Sequence, residues 1–504
     1  MKFVVVGGGT AGWLTALYVK KHVPYSDVTV IASSEIGILG AGEGTNWDFL
    51  EFLKDIDIPV KEIIKHARGT FKNGIKFTNW NGDGDYYYHP FLDHLGKNPA
   101  ECSSFDSTPF YLNKIVQGKT VSSLQLTNLI SERNQVKYKL NKKDTVGISA
   151  LHFDAHLLAD YLQSVGLTRN INLIDDEVVD IITNSKGDIT EFNLKSGKII
   201  ETDFVFDCSG FKRLIIGNFY KSNWTSYQDS LPVNRAMPFF IDNPTNNISP
   251  YTEAIAMKYG WLWKIPVQGR YGCGYVFDSR LVSDEKIKQE LTEFLGYEPS
   301  LPRIFDFEPG TYDRTWINNC VAIGLSSGFV EPLEATSIQV STFALRSLSI
   351  KIQGFLTNRK RAIEEFNYEI RTINEHVLNF LHFHYLSKRS DTVFWKDFAQ
   401  NTTPKFVKMV QEINKKTFLK EQEFEYLTLV SATEHPVKNP FSVFSWQQVA
   451  AGIGYFKQSV ADRELDSYKN FNMDIAEADL MAMLEDIGKD LYNHYDYIEY
   501  LKRL

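Results

Sequence analysis

Phe3-Val4-Val5-Val6-Gly7-Gly8-Gly9-Thr10-Ala11-Gly12-Trp13-Leu14 opens with a short apolar β-prone run, a glycine cluster, and a helical repeat that continues through Ala16, Leu17 and Val19. Strand, glycine turn and helix in that order begin a βαβ unit. A second β-prone run at residues 28–31 lies where the unit's second strand belongs, such units being about thirty residues long. In Gly7-x-Gly9-x-x-Gly12 the first glycine permits the tight turn, the second lets backbone approach a pyrophosphate, and the third lets the helix pack against the strand. The helix N-terminus then offers free N–H groups to phosphate oxygens. This placement predicts a dinucleotide site contacted by Gly7, Gly9, Thr10, Ala11, Gly12 and Trp13. The second strand ends in Ala32-Ser33-Ser34, without the acid that usually holds the ribose hydroxyls. Gly42-Glu43-Gly44-Thr45 supplies an alternative carboxylate and close backbone at Glu43 and Gly44, or is simply a solvated turn.

The rest of the chain sets the frame. With 504 residues, 43% of them hydrophobic and 23% charged, a disordered chain is excluded and several domains' worth of core is available. A net charge of −8 disfavours nucleic acid and anionic membrane surfaces, so the expected partner is small. Cys102, Cys208, Cys273 and Cys320 are scattered without a C-x-x-C pair, which points to reduced thiols and no zinc ribbon. The first apolar run is too short for a signal peptide, and no later run reaches the ~18–20 apolar residues of a membrane span. A soluble, cytoplasmic protein is expected.

Two further strand-like runs end in small-residue turns: Phe204-Val205-Phe206 before Asp207-Cys208-Ser209-Gly210, and Val321-Ala322-Ile323 before Gly324-Leu325. Later the period changes. Ile363, Phe366, Ile370, Ile373, Val377 and Phe380 recur at steps of three and four, predicting a long amphipathic helix in a mainly helical last third. The expected division is an α/β body over residues 1–345 and a helical region over residues 346–504 packed on it.

Three more segments carry a resemblance: Gly260-Trp261-Leu262-Trp263-Lys264-Ile265-Pro266; Phe71-Lys72-Asn73-Gly74-Ile75-Lys76-Phe77; and Gly324-Leu325-Ser326-Ser327-Gly328-Phe329-Val330-Glu331-Pro332-Leu333-Glu334-Ala335-Thr336-Ser337. With the N-terminal glycines they closely resemble the flavin-dependent tryptophan-halogenase family. His152-Phe153-Asp154-Ala155, Asp207-Cys208-Ser209-Gly210-Phe211, the segment from Arg389 to Trp395, and His494-Tyr495-Asp496-Tyr497 extend the likeness over nearly the whole chain.

The resemblance implies a flavin-monooxygenase-like FAD-binding fold of Rossmann type. It also implies a two-component enzyme that takes FADH2 from a separate NAD(P)H flavin reductase and forms a peroxyflavin with O2. Halide (chloride, bromide or iodide) then becomes hypohalous acid, which is relayed to a lysine beside a small aromatic substrate. By motif that lysine is Lys72, and the carboxylate facing it across the substrate is Glu334. Thr336 and Ser337 match the halide-holding pair, with Ser337 where the family usually has glycine, so bromide or iodide is expected to compete with chloride. Gly324 and Leu325 join the flavin contacts, Trp261 and Trp263 lie near the flavin, and His89 and Phe91 flank the substrate.

Physical chemistry gives each role a plainer rival. An ammonium in an apolar, aromatic frame is desolvated, which favours the neutral amine able to accept a halogen cation, but alternation of Lys72, Gly74 and Lys76 also suits a solvated strand. A carboxylate stabilises the cationic intermediate of arene halogenation and takes the ring proton, but Glu331-Pro332-Leu333-Glu334 also looks like a helix start. Two tryptophans on one strand face serve core packing equally well. His152 and His156, placed four apart on an expected helix, and His382 with His384 suggest a metal site only weakly, and none is expected. The run Tyr86, Tyr87, Tyr88 lacks the basic face that base stacking needs.

At the substrate end the family's Phe-Trp-x-Asn segment before Ala451-Gly452-Ile453-Gly454 is replaced by Pro440, Phe441 and Val443, with Trp446 in another register. An indole, phenol or heteroaromatic other than free tryptophan is therefore expected. The rival readings are a flavin-dependent aromatic hydroxylase and a flavin-binding protein without turnover. A homo-oligomer is left open.

Overall fold

The computed structural model describes residues 1–35, 43–91, 108–119, 125–141, 144–301, 303–398, 411, 415, 437, 439–470 and 472–504. They fall into two compact units, each assembled from three stretches of chain. The first comprises Met1–Gly69, Phe153–Gln228 and Glu308–Glu375; the second comprises Thr70–His152, Asp229–Phe307 and His376–Leu504. This interleaving differs from the sequential division at residue 345 expected from the periodicity. The physical reason is that the later strands of each unit's sheet come from distant parts of the chain.

In the first unit, six strands run in the order Trp316–Ile317, Cys320–Ala322, Phe204–Asp207, Lys2–Val6, Asp27–Ala32, Asn172–Asp175. All pairs are parallel except the edge pair of Trp316–Ile317 with Cys320–Ala322. The four runs read as strands from the sequence are thus neighbours in one doubly wound sheet, with Val6 level with Asp207 and Ile31, and Asp207 level with Ala322. That register sets the turns after Val6, Asp207 and Ala322 side by side at one carboxyl edge, where such sheets bind ligands. Helix Thr10–His22 is buried from Trp13 to Val19.

The second unit carries a seven-stranded sheet in the order Phe305–Asp306, Arg235–Asp242, Arg270–Phe277, Gly260–Val267, Thr252–Ala256, Gly74–Thr78, Tyr86–Pro90. Only Thr252–Ala256 with Gly74–Thr78 is parallel. Helix Asp284–Leu295 packs Ile287 and Leu291 onto Met237, Leu262 and Tyr275.

Beyond residue 345 the described chain is mainly helical, with helices Arg359–His384, Val393–Phe398, Val443–Gly452, Gln458–Leu465, Met473–Lys489 and His494–Arg503. The apolar stripe read from Ile363 to Phe380 lies within the 26-residue Arg359–His384 helix, and all six of its residues are buried. No helix among the described residues is long and apolar enough to cross a membrane.

Candidate functional site

At the carboxyl edge of the first unit's sheet, Gly7 adopts φ +122°, and a Cβ there would stand 2.1 Å from the carbonyl oxygen of Cys208. A Cβ on Gly12 would lie 1.9 Å from the oxygen of Gly7, so both glycines are required by contact. The second glycine turn meets the first: a Cβ on Gly324 would fall 2.8 Å from that of Ala11 and 3.8 Å from Oγ of Ser341. Ser341 donates to the oxygen of Ser337 at 2.8 Å, which ties this turn to the first turns of helix Thr336–Thr357. The structure therefore brings together the glycine-rich helix start, the Gly324-Leu325 turn and the Thr336-Ser337 helix start.

Two helix N-termini point to anions. Helices Thr10–His22 and Thr336–Thr357 begin at Gly9 and Ala335, with no side-chain cap and no acid in the first turn. Helices Ala155–Thr168, Met473–Lys489 and His494–Arg503 are capped by Asp154, Asn472 and Asn493, but Leu126–Glu132, Val443–Gly452 and Gln458–Leu465 are as bare as the first two, so it is the placement of those two at the glycine edge that matters. Uncapped N–H groups at a positive dipole end favour phosphate or halide. Thr10 adds a buried Oγ1 without a hydrogen-bond partner among the described residues, as does the Nε1 of fully buried Trp13. The edge fits a dinucleotide pyrophosphate.

Glu334 is fully buried, as is Glu331. It is not the helix cap allowed by the sequence, since Ala335 holds that place in the left-handed region at φ +54°. A non-glycine residue there costs about 1–2 kcal/mol and persists where its surroundings hold it. Thr336 is buried and Ser337 half-buried.

Glu43–Gly44 is a two-residue strand with Gly44 buried, and the side chain of Glu43 lies outside the described residues. Just beyond it, Asn46 Nδ2 donates to Gln339 Oε1 at 2.8 Å, and Thr342 Oγ1 donates to Asp48 Oδ2 at 2.6 Å. These pairs pin the segment to the first turns of helix Thr336–Thr357; sequence reasoning missed them because they are 293 and 294 residues apart. It also missed Asp175, which is level with Ala32 on the adjoining strand and accepts from Ser34 N–H at 2.9 Å and Ser34 Oγ at 2.8 Å. A carboxylate thus stands at the strand end that reads Ala-Ser-Ser.

In the second unit, Lys72 ends the strand Thr70–Lys72 and is fully buried, with Nζ 5.5 Å from the centre of the Phe91 ring. The solvated-strand alternative fails here and applies only to Lys76. That residue is half-buried over the Tyr86 ring at 4.1 Å and paired with Glu132 at 3.3 Å. Gly74 is needed for close approach, because a Cβ would lie 2.5 Å from the oxygen of His89.

Strand Tyr86–Pro90 delivers His89, buried 5.3 Å from the ring of Phe380. Phe380 stacks on Phe441 at 3.8 Å and meets Trp446 edge-on at 5.1 Å. Of Pro440, Phe441 and Val443, Phe441 thus joins this aromatic wall, together with Trp446 from the following helix. A second buried lysine, Lys137, donates from Nζ to the oxygen of Phe91 at 2.8 Å. Its alternating strand Gln135–Lys139 gave no sign of burial.

Trp261 and Trp263 share one face of strand Gly260–Val267, 6.3 Å apart and both buried. The Nε1 of Trp261 has no hydrogen-bond partner among the described residues. Tyr87 and Tyr88 are buried and offer no stacking surface.

His152 and His156 do not share a helix. His152 belongs to strand Ala150–Phe153, and the next helix starts at Ala155 behind its cap, Asp154. No group of His, Cys, Asp and Glu suited to a metal occurs among the described residues.

Burial lowers the imidazole of His494 from its ordinary 6.5 to about 4. A histidine harder to protonate folded than unfolded contributes stability that is complete above about pH 6.5 and is lost as pH falls towards 4. Between pH 7 and pH 4.5 the wild type is expected to lose about 2 kcal/mol more than His494→Gln. Urea unfolding at the two pH values checks this; equal losses in both proteins refute it.

A family model described as tryptophan halogenase matches residues 2–467. The chain is 33% identical over 433 residues to tryptophan 6-halogenase SttH of Streptomyces toxytricini, covering 80% of this chain and 82% of that one. It is 32% identical over 431 residues to tryptophan 7-halogenase RebH of Lentzea aerocolonigenes, covering 78% of each. Among solved structures, the tryptophan C-6 flavin-dependent halogenase Tar14 from taromycin biosynthesis superposes with a TM-score of 0.84 at 26% identity, over 100% of both chains.

Proposed function

Because the chain belongs to the tryptophan-halogenase family and is an FADH2-dependent halogenase, we propose that it halogenates an electron-rich arene other than free tryptophan through Lys72 and Glu334. The observation that carries this reading is the complete burial of Lys72 against Phe91, in a unit whose aromatic wall is His89, Phe380, Phe441 and Trp446. An amine withheld from water, beside rings that select a flat apolar partner, suits delivery of a halogen cation to a ring carbon.

The flavin's residues are Gly7, Gly9, Thr10, Ala11, Gly12, Trp13, Glu43, Gly44, Gly324 and Leu325. The uncapped N–H groups and the Thr10 hydroxyl hold the pyrophosphate, and Asp175 with Ser34 supplies the polar strand end. Bound FADH2, delivered by a separate reductase, supplies with O2 the oxidant for halide. Thr336 and Ser337 hold the halide at the N-terminus of their helix. Ser337, in place of glycine, changes the space and hydrogen bonding of that site, so that bromide or iodide competes with chloride. Trp261 and Trp263 wall the organic substrate away from the oxidant, Lys72 aims the halogen, and Glu334 steadies the arene cation and takes its proton.

Incubation with FAD, a flavin reductase, NADH and O2 over a panel of indoles and phenols, in separate chloride, bromide and iodide tubes, tests the proposal by product mass. Halide-dependent mass gains on an arene other than tryptophan are expected. Hydroxylated products independent of halide would replace the reading with a monooxygenase, and turnover confined to free tryptophan would overturn the substrate assignment.

A further inference from the structure

The strand that carries Lys72 is three residues long and pairs on one side with Ala150–Phe153, Thr70 level with His152 and Lys72 with Ala150. So short a strand leaves backbone groups facing away from its partner, and a buried N–H without an acceptor is costly. Here an imidazole takes the place of the missing strand. The N–H of Phe71, the residue before the lysine, donates to Nε2 of His494 at 2.9 Å, and Nδ1 of His494 lies 3.0 Å from the oxygen of Ile248.

A second imidazole does comparable work across the pair. Thr70 Oγ1 donates to the oxygen of Pro266 at 2.6 Å, leaving its lone pair for Nδ1 of His152 at 3.1 Å; Nε2 of His152 then accepts from Thr252 Oγ1 at 2.9 Å. Beyond Lys72, the N–H of Asn73 donates to the oxygen of Pro250 at 2.6 Å, and its oxygen accepts from Phe91 N–H at 2.9 Å. The lysine strand is thereby fastened to Ile248, Pro250 and Thr252.

We propose that His494 and His152 are positioning residues for Lys72, two uncharged imidazoles that bracket its strand and fix the direction in which its amine presents a halogen to the arene. The proposal rests on the reading of Lys72 given above. Both imidazoles must be neutral with the proton on Nδ1, since a protonated His494 would set a donor against the Phe71 N–H. Their surroundings keep them so: both are fully buried, and the charge of Lys72 further opposes protonation of His152. Misplacing a reacting group by about 1 Å costs on the order of a hundredfold in rate, so a bracket on the adjacent peptide is felt in delivery rather than in halide oxidation.

The test compares wild type, His494→Phe, His494→Gln, Thr252→Val and Lys72→Met, with indole as arene and bromide as halide. Three quantities are read: brominated indole, hypobromous acid captured by an added trap, and amide exchange at Phe71. In His494→Phe, exchange at Phe71 is expected to rise roughly tenfold and brominated indole to fall roughly tenfold or more, while trapped hypobromous acid holds. His494→Gln, which retains an acceptor and a donor, restores both to within about threefold. Thr252→Val, which removes only the hydroxyl behind His152, moves product in the same direction by less and covers the case in which His494→Phe does not fold.

Unchanged exchange and product in His494→Phe would overturn the bracket. So would parallel loss of product and hypobromous acid, which marks general damage, or failure of glutamine to restore either quantity. Full bromination by Lys72→Met would sink the reading of the lysine itself, while the exchange data would still report whether His494 holds the strand.

Discussion

Lys72→Ala is expected to lower aryl halide formation by about a thousandfold or more, with oxidation of the reduced flavin by O2 unaffected and hypohalous acid still released to a trap. The separation follows from where the lysine sits. Flavin contacts are assigned to the first unit's sheet edge, whereas Lys72 belongs to a strand of the second unit, against Phe91, in a unit that also holds a wall of buried aromatic side chains. Removing the amine deletes delivery of the halogen without touching the residues assigned to its oxidation. Lys72→Arg refines the result: guanidinium stays cationic and donates hydrogen bonds but does not offer a neutral amine. Recovery of a tenth or more of the product by arginine would favour aiming through a hydrogen bond, and its failure would favour transfer through an N-haloamine. Aryl halide from Lys72→Ala at the wild-type rate would end the assignment.

The glycine edge was legible in the sequence because its chemistry is local: Gly7, Gly12 and the following helix answer to a strand, a turn and a period within twenty residues. The long helix Arg359–His384 was legible for the same reason, through its unbroken apolar stripe. The partition of the chain was not. Strand Cys320–Ala322 joins the sheet that Lys2–Val6 begins, and Thr252–Ala256 joins Gly74–Thr78, pairings decided by tertiary contact rather than by periodicity. Burial of Lys72 shows the same limit, since a three-residue strand flanked by Gly74 and Lys76 alternates as a solvated edge would. His152 was misplaced onto a helix because Asp154, which caps that helix, reads equally well inside one. Lys137, Asp175 and the His494–Phe71 contact carry no local pattern at all.

Glu334→Gln is expected to lower the rate of aryl halogenation by about a hundredfold to a thousandfold, with release of hypohalous acid unchanged. Glutamine keeps the shape of the buried side chain and removes only its charge, so a packing role predicts little loss and an electrostatic one predicts much. The helix-start alternative is already set aside, because Ala335 in a left-handed turn holds the N-cap position that Glu334 precedes. A fully buried carboxylate is worth keeping where positive charge appears during reaction, and arene halogenation creates such charge when the halogen adds and before the ring proton leaves. If Glu334 takes that proton, its loss is fast in the wild type and slow in the glutamine variant. Deuterium at the reacting ring position should then leave the wild-type rate nearly unaltered and slow Glu334→Gln by about twofold or more, as expected when proton transfer enters the rate-limiting step. A glutamine variant of wild-type rate would remove Glu334 from the mechanism. A slow variant without an isotope effect would leave it stabilising the cation while another group removes the proton.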